Sequence, residues 1–263
     1  MFPVLMRIPL PSFLTDFFPS HFTIYGQGFF IALGILLGYL YAQKEAKEKF
    51  NLKSQEIADF FLLGAFGVIL GGKLFLFLDD PSYYWSHPSK LLNFSKGYVF
   101  YGSFLVAGLL SLGLLQRKKI PVLPALDSAA LFLCLVHFFA RLGCFMAGCC
   151  YGKPYDGIFS VAFSKPLSSA PSGIFLYPTQ IMSMLMIAVI GVFLFFYQKK
   201  AKFSGEIFFL YLISYGIGRF FLEFFRGDKR GFVFNGLLSN SQLIAVVFVS
   251  LGFYCYFHLK KIK

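Results

Sequence analysis

The sequence predicts an all-α integral membrane protein: a bundle of about seven transmembrane helices, with the N-terminus outside and the C-terminus in the cytoplasm. The amino-acid composition, the spacing of the apolar stretches and the position of the basic residues predict this class. Of 263 residues, 57% are hydrophobic, 21% are aromatic and only 14% are charged, whereas about 45–50% of a soluble domain is apolar. The composition therefore excludes an ordinary soluble domain.

Seven apolar stretches are long enough to cross a bilayer, which takes about 20 helical residues. They are residues 22–42, 58–78, 98–116, 124–145, 178–197, 206–225 and 241–258. The first two contain glycines at the spacing that lets helix backbones approach closely in lipid, namely Gly34 with Gly38 and Gly67 with Gly71. The connectors are too short for a separate soluble domain. We therefore expect one transmembrane domain over residues 1–263, with 151–177 as an outward surface loop.

Basic residues predict the orientation. The connectors after the first, third and fifth stretches, together with the C-terminal tail, hold more Lys and Arg than the other side, which by the positive-inside rule makes them cytoplasmic. The net charge of +12 is divided into short clusters between apolar runs and comes without a nucleic-acid-binding motif. We expect no nucleic acid partner. The opening segment, residues 1–20, lacks a small-residue cleavage site, so we expect it to be retained.

Three basic residues lie inside the apolar stretches: Lys73, Arg141 and Arg219. At about 1.5 Å per helical residue from the cytoplasmic end, all three fall in the outer half of the membrane. The same layer holds other polar residues, which are Glu223, Tyr25, Tyr101, Tyr177, Gln180 and Gln242. Three cations against one acid leave an excess positive charge that is costly in lipid. Because arginine binds phosphate oxygens through two hydrogen bonds, the layer predicts a site for a phospholipid headgroup of the outward leaflet.

Each of these residues also has a simpler explanation. Arg219 and Glu223 are four residues apart and can neutralise each other. Tyrosines near helix ends are commonly interfacial anchors, and the long side chains of Lys73 and Arg141 can reach the outer headgroups. Their coincidence in one layer favours the common site over these separate explanations.

The segment HFFARLGCFMAGCCYG, residues 137–152, places His137 and three cysteines around Arg141. Cys144, Cys149 and Cys150 lack the usual spacing of zinc ligands, and we expect no metal. The adjacent Cys149 and Cys150 could instead exchange electrons as thiols. The favoured interpretation is the packing of small, polarisable side chains under a glycine-rich turn.

The motifs ARLGCFMAGCCYG, YPTQ, YGIGRFFLEFFR and SNSQL, preceded by IYGQGF and GGKLF, resemble the prolipoprotein diacylglyceryl transferase family in order and spacing along almost the whole chain. The resemblance implies a seven-span enzyme of the bacterial cytoplasmic (inner) membrane, with its active site toward the outer leaflet. Such an enzyme moves the diacylglyceryl group of phosphatidylglycerol to the thiol of the lipobox cysteine in a prolipoprotein signal peptide and releases glycerol 1-phosphate. The resemblance also implies phosphatidylglycerol and signal peptides as partners, and no cofactor.

The resemblance, together with the outer-half layer of polar residues, predicts roles for individual residues. Arg141 matches the signature arginine associated with the headgroup, and Gly143 and Gly152 match the signature glycines. The expected catalytic residues are Arg141, Arg219, Glu223, Tyr101 and Tyr25. The expected phosphatidylglycerol-binding residues are Arg141, Gly143, Gly152, Lys73, Tyr215, Gln180 and Gln242.

Four positions depart from the pattern of many members. Tyr101 stands where a histidine is common, Cys144 and Cys149 replace Asn and Glu, and Tyr177 replaces the histidine before Pro178. Tyrosine, with an ordinary pKa of about 10, is a poor base at neutral pH, whereas a thiol needs only modest help from nearby cations. The alternatives are a non-catalytic paralogue that binds anionic lipid or signal peptides, a thiol oxidoreductase, and a transporter, for which repeated halves are not seen.

Overall fold

A computed structural model describes residues 3–9, 21–91, 99–164, 168–228, 231–233 and 236–262, apart from the side chains of Phe22, Phe100 and Phe232. Most of the expected N-terminal segment, residues 10–20, lies outside the described residues. The elements are β1 Val4–Pro9, β2 His21–Tyr25, α1 Gly26–Phe50, α2 Ser54–Asp79, α3 Pro81–Ser86, α4 Phe100–Arg117, α5 Val122–Ala147, β3 Val161–Ala162, β4 Phe175–Leu176, α6 Thr179–Tyr197, α7 Glu206–Leu222, β5 Phe232–Val233, β6 Leu238–Ser239 and α8 Asn240–Ile262. The strands pair as three two-stranded antiparallel ladders, β1 with β2, β3 with β4 and β5 with β6.

Within the described part of the chain, six helical segments are long and apolar enough to cross a membrane. They are Gly26–Phe50, Ser54–Asp79, Val122–Ala147, Thr179–Lys200, Glu206–Phe225 and Asn240–Ile262. They coincide with six of the seven predicted stretches, and the seventh, 98–116, forms the 18-residue helix α4, which is not among them. The all-α membrane class is confirmed. The count of seven spans and the sides of the two termini stay predictions.

The chain forms two compact units, and the smaller one covers residues 41–125. In it, α2 packs against α4 along the predicted glycines: a Cβ built on Gly67 would lie 2.6 Å from the Cα of Ala107, and Gly71 meets the backbone of Gly102 in the same way. The hydroxyl of Ser103 donates to the carbonyl of Val68 at 2.8 Å. The expected close packing of α2 is confirmed.

The larger unit comprises residues 1–40 and 126–263. Here α1 packs on α5, because Gly34 and Gly38 leave no room for side chains: a Cβ on Gly34 would lie 2.7 Å from that of Phe139. Helix α7 lies against α6 and α8. The start of α7 is held by Asp127 of α5, whose carboxylate accepts from the backbone N–H groups of Gly205 (2.6 Å) and Phe208 (2.9 Å).

The segment predicted as a surface loop, 151–177, is folded against the helix ends. Residues 152–155 lie between the backbone at Phe225 and the backbone at 175–177. Lys153 N donates to Phe225 O at 2.8 Å on one side. On the other side Tyr155 N donates to Phe175 O at 2.9 Å and Tyr177 N donates to Lys153 O at 3.0 Å. A small core lies beneath it, made of Phe163, Ala170 and Leu176 with Phe145, Tyr151 and Val161. This arrangement joins the C-terminal ends of α5 and α7 to the start of α6. That the segment faces outward stays a prediction.

Candidate functional site

The segment 137–152 contains the C-terminal end of α5, which stops at a glycine turn. Gly148 has a φ of +66°, its N–H donates to the carbonyl of Phe145 at 3.2 Å, and Cys149 N–H donates to the carbonyl of Cys144 at 3.1 Å. This pair of bonds around a left-handed glycine is the Schellman motif, which satisfies the last carbonyls of a helix. Cys150 follows with a φ of +62°. The chain therefore turns sharply within three residues of the helix end.

The YPTQ motif holds this turn in place. Thr179 Oγ1 donates to the carbonyl of Cys150 and Gln180 Nε2 donates to the carbonyl of Cys149, each at 2.8 Å. Both side chains are buried, and Gln180 Oε1 has no hydrogen-bond partner among the described residues. Two motifs that are about 30 residues apart in sequence thus form one structure.

The two signature glycines lie where backbones meet. A Cβ on Gly143 would lie 2.9 Å from the carbonyl oxygen of Gln27, at the start of α1. A Cβ on Gly152 would lie 2.5 Å from the carbonyl oxygen of Tyr177 and 3.0 Å from that of Phe225. No side chain fits at either position without moving the backbone, so close packing requires glycine at both.

Arg141 is joined to α7 through two rings. Its Nε donates to His137 Nε2 at 3.1 Å, one turn earlier on α5. The imidazole ring in turn contacts the ring of Tyr215 edge to face, with centroids 5.2 Å apart, and Tyr215 stacks on Tyr211. The structure therefore brings the predicted residues Arg141 and Tyr215 to one place.

Arg219 of α7 and Glu223, in the short 3-10 turn that follows α7, form a buried ion pair. Nη1 of the arginine lies 2.5 Å from Oε2 of the glutamate, and both residues are 8% exposed. Nη1 and both carboxylate oxygens have no hydrogen bond of ordinary geometry to any described residue. The mutual neutralisation expected from their spacing is present. Nevertheless, these three buried polar atoms can still form hydrogen bonds with a ligand, and leaving them unsatisfied costs free energy of folding.

Arg226 is a residue that the sequence reasoning missed. It is buried, its Nε and Nη2 each donate to Asp228 at 2.8 Å, and its backbone pairs with that of Gly152. Burial alone would lower the pKa of the guanidinium, but the Asp228 carboxylate raises it. Its place at the end of the YGIGRFFLEFFR motif is a signal that could have identified it.

The remaining predicted residues have separate surroundings. Tyr25 is half exposed at the end of β2. The side chain of Gln242 accepts from Ser239 N at 3.0 Å while Ser239 Oγ accepts from Gln242 N at 3.2 Å, which is a capping box at the start of α8. Lys73 and Tyr101 belong to the smaller unit. The substrate-binding and catalytic roles of all these residues stay predictions.

The three cysteines of segment 137–152 form a group that could hold a metal ion. The sulfur atoms of Cys144, Cys149 and Cys150 all lie within 4.8 Å of one another, and all three are free thiols. No other cluster of three His, Cys, Asp or Glu ligands is found in the described ranges.

Comparison with known proteins gives a consistent result. The family model described as "Prolipoprotein diacylglyceryl transferase" matches residues 15–258. A phosphatidylglycerol–prolipoprotein diacylglyceryl transferase of Clostridium tetani is 39% identical over 234 residues, covering 89% of this chain and 92% of the relative. One of Clostridium perfringens is 36% identical over 242 residues, with 91% and 92% covered. A third, from Ehrlichia ruminantium, is 31% identical over 235 residues, with 84% and 86% covered.

Proposed function

This chain belongs to the prolipoprotein diacylglyceryl transferase family, and we propose that it transfers the diacylglyceryl group of phosphatidylglycerol to the lipobox cysteine of a prolipoprotein signal peptide. It is a multi-pass membrane transferase. The observation that carries the proposal at the site is that Tyr215 of α7 contacts Arg141 through His137 and shares its helix with Arg219, which is paired with the buried Glu223. Cationic groups in an apolar surrounding favour an anionic ligand, and phosphatidylglycerol supplies a phosphate.

In the proposed reaction the substrate thiolate attacks the glyceryl C3 carbon. A carbon–sulfur bond forms, the bond between C3 and the phosphate oxygen breaks, and that oxygen keeps the electron pair and leaves with glycerol 1-phosphate. Arg141 and Arg219 stabilise the negative charge that grows on the leaving phosphate. Glu223 orients Arg219.

The thiol must lose its proton before or during the attack. A thiol with an ordinary pKa near 8.5 becomes a thiolate readily beside cations, so the arginines serve the nucleophile as well as the leaving group. We assign Lys73 to the phosphate, and Tyr101 and Tyr25 to lipid positioning or proton relay. Gly143, Gly152, Gln180 and Gln242 shape the lipid site through the backbone.

We place the site toward the outer leaflet of the bacterial cytoplasmic (inner) membrane, in a single transmembrane domain over residues 1–263. The basic connectors and the distance of Arg141 from the cytoplasmic end of α5 support this orientation. Ile158 and Phe159, at the tip of the 151–177 segment, are 95% and 78% exposed. Exposed apolar side chains at a loop tip suit a position on a membrane surface.

The mass of a synthetic lipobox peptide tests the proposal. The purified protein is incubated with the peptide and phosphatidylglycerol in detergent, and a diacylglyceryl-sized increase on the cysteine is expected. Arg141→Ala should abolish the increase, and Arg117→Ala, at the end of α4, should retain it. If folded wild-type protein binds the lipid without changing the peptide, the transferase proposal fails and the non-catalytic paralogue takes its place.

A further inference from the structure

Three thiols converge at the C-terminal end of α5 because of how that helix ends. In the Schellman motif the residue three positions before the cap and the second residue after it come into contact, usually as an apolar pair. Here those positions are Cys144 and Cys149. Cys150 follows directly, and the three sulfur atoms lie within 4.8 Å of one another.

Side chains at the start of α6 hold the backbone of the cysteine turn. Thr179 and Gln180 each hold one carbonyl of the turn at 2.8 Å. Cys150 has a left-handed φ of +62°, a conformation that glycine adopts freely and other residues adopt at a cost. The turn places the Cys150 side chain beside the other two thiols.

The charges around the thiols favour a cluster with negative charge. The guanidinium groups of Arg226 and Arg141 both interact electrostatically with Cys150. A divalent ion with three thiolates carries a net charge of −1. Because Arg226 is already paired with Asp228, Arg141 is the cation that offsets the charge of such a complex at this half-buried place.

We propose that Cys144, Cys149 and Cys150 form a trithiolate site for a thiophilic divalent cation of the zinc and cadmium class, clamping the end of α5. Zinc–sulfur bonds of about 2.3 Å place tetrahedral ligand sulfurs roughly 3.8 Å apart, so small side-chain rotations from the present positions bring the three sulfurs into range. Each ligating thiol releases its proton to solvent on binding. Three protein ligands leave a fourth position for water. The proposal does not rest on the proposed lipid transfer, and its test uses neither lipid nor peptide.

Cadmium binding to the reduced, purified protein tests this site without lipid or peptide. Cd²⁺ is titrated while the sulfur-to-cadmium charge-transfer absorption is followed, and the metal retained after desalting is counted. One ion per chain is expected. The Cys134→Ser and Cys255→Ser double variant should retain that ion, because those thiols lie outside the cluster.

Cys150→Gly is the decisive variant because glycine suits the left-handed backbone, so loss of folding is not expected. It should lose the bound ion and the absorption band while its helical circular dichroism is unchanged, and the triple Cys144→Ser, Cys149→Ser, Cys150→Ser variant should behave alike. Absence of stoichiometric binding to fully reduced wild-type protein would overturn the site. Binding that persists in Cys150→Gly would overturn it as well.

Discussion

Arg141 is held by His137 through a single hydrogen bond of 3.1 Å. Because arginine donates hydrogen bonds and accepts none, Nε2 of the histidine must be the acceptor, and the ring proton must lie on Nδ1. The contact uses Nε of Arg141. The two Nη groups, which take part in bidentate binding of phosphate oxygens, lie outside this contact.

Replacement of His137 should therefore weaken substrate use through Arg141. His137→Leu removes the acceptor and is expected to lower kcat/KM for phosphatidylglycerol roughly ten- to a hundredfold, since a hydrogen bond to a charged group contributes about 1.5–3 kcal/mol. His137→Gln keeps an acceptor and should recover most of the loss. Initial rates at varied lipid concentration measure both. Equal impairment by Leu and Gln would show that the imidazole does more than position Arg141.

The Arg219–Glu223 pair allows folding and chemistry to be separated. Glu223→Gln leaves a buried guanidinium without its counter-charge, which costs about 3–5 kcal/mol in buried pairs, so we expect a lower unfolding temperature and little transfer. Replacing both residues by apolar ones, Arg219→Met with Glu223→Leu, should restore the unfolding temperature and still abolish transfer. Circular dichroism and the peptide mass assay report the two properties. Transfer by the double variant would exclude the pair from the reaction.

At the scale of elements, hydropathy predicts the positions of most helices because lipid demands about 20 apolar residues for each span. Hydropathy cannot predict which loops and helix ends contact one another. The contacts of Thr179 and Gln180 with the cysteine turn depend on the packing of α6 against the end of α5. The capping box at Gln242 is predictable from its spacing to Ser239, whereas the expected position of Gln242 in the outer half of the membrane favoured a binding role. Arg226 was missed because it lies beyond the apolar stretch.

Glycine spacing in α2 gives a matched test of helix packing. Gly67→Leu would place side-chain atoms into the backbone of Ala107 and should separate α2 from α4, with a marked loss of thermal stability in detergent. Gly64→Leu is the control, because a Cβ at Gly64 meets nothing within 4 Å. Both variants have the same change in helix propensity. Similar unfolding temperatures for the two would contradict the packing role of Gly67.

At the scale of the whole molecule, the unequal distribution of lysines and arginines predicts one orientation. The C-terminal helix α8 ends with Lys260 and Lys261 in its last turn, which the positive-inside rule places in the cytoplasm. Ile158, in the 151–177 segment, should then lie on the outer side. The same orientation puts Arg141 in the outer half of the membrane, near outer-leaflet phosphates.

Thiol labelling in spheroplasts tests this orientation. Ile158→Cys and Lys261→Cys are introduced separately into a background in which the five native cysteines are replaced by serine and folding is confirmed by circular dichroism. A membrane-impermeant maleimide should label Ile158→Cys in spheroplasts and should label Lys261→Cys only after permeabilisation, because a charged reagent does not cross the bilayer. The reverse pattern would place Arg141 in the inner half, where a lipobox cysteine on the outer side could not reach the bound lipid.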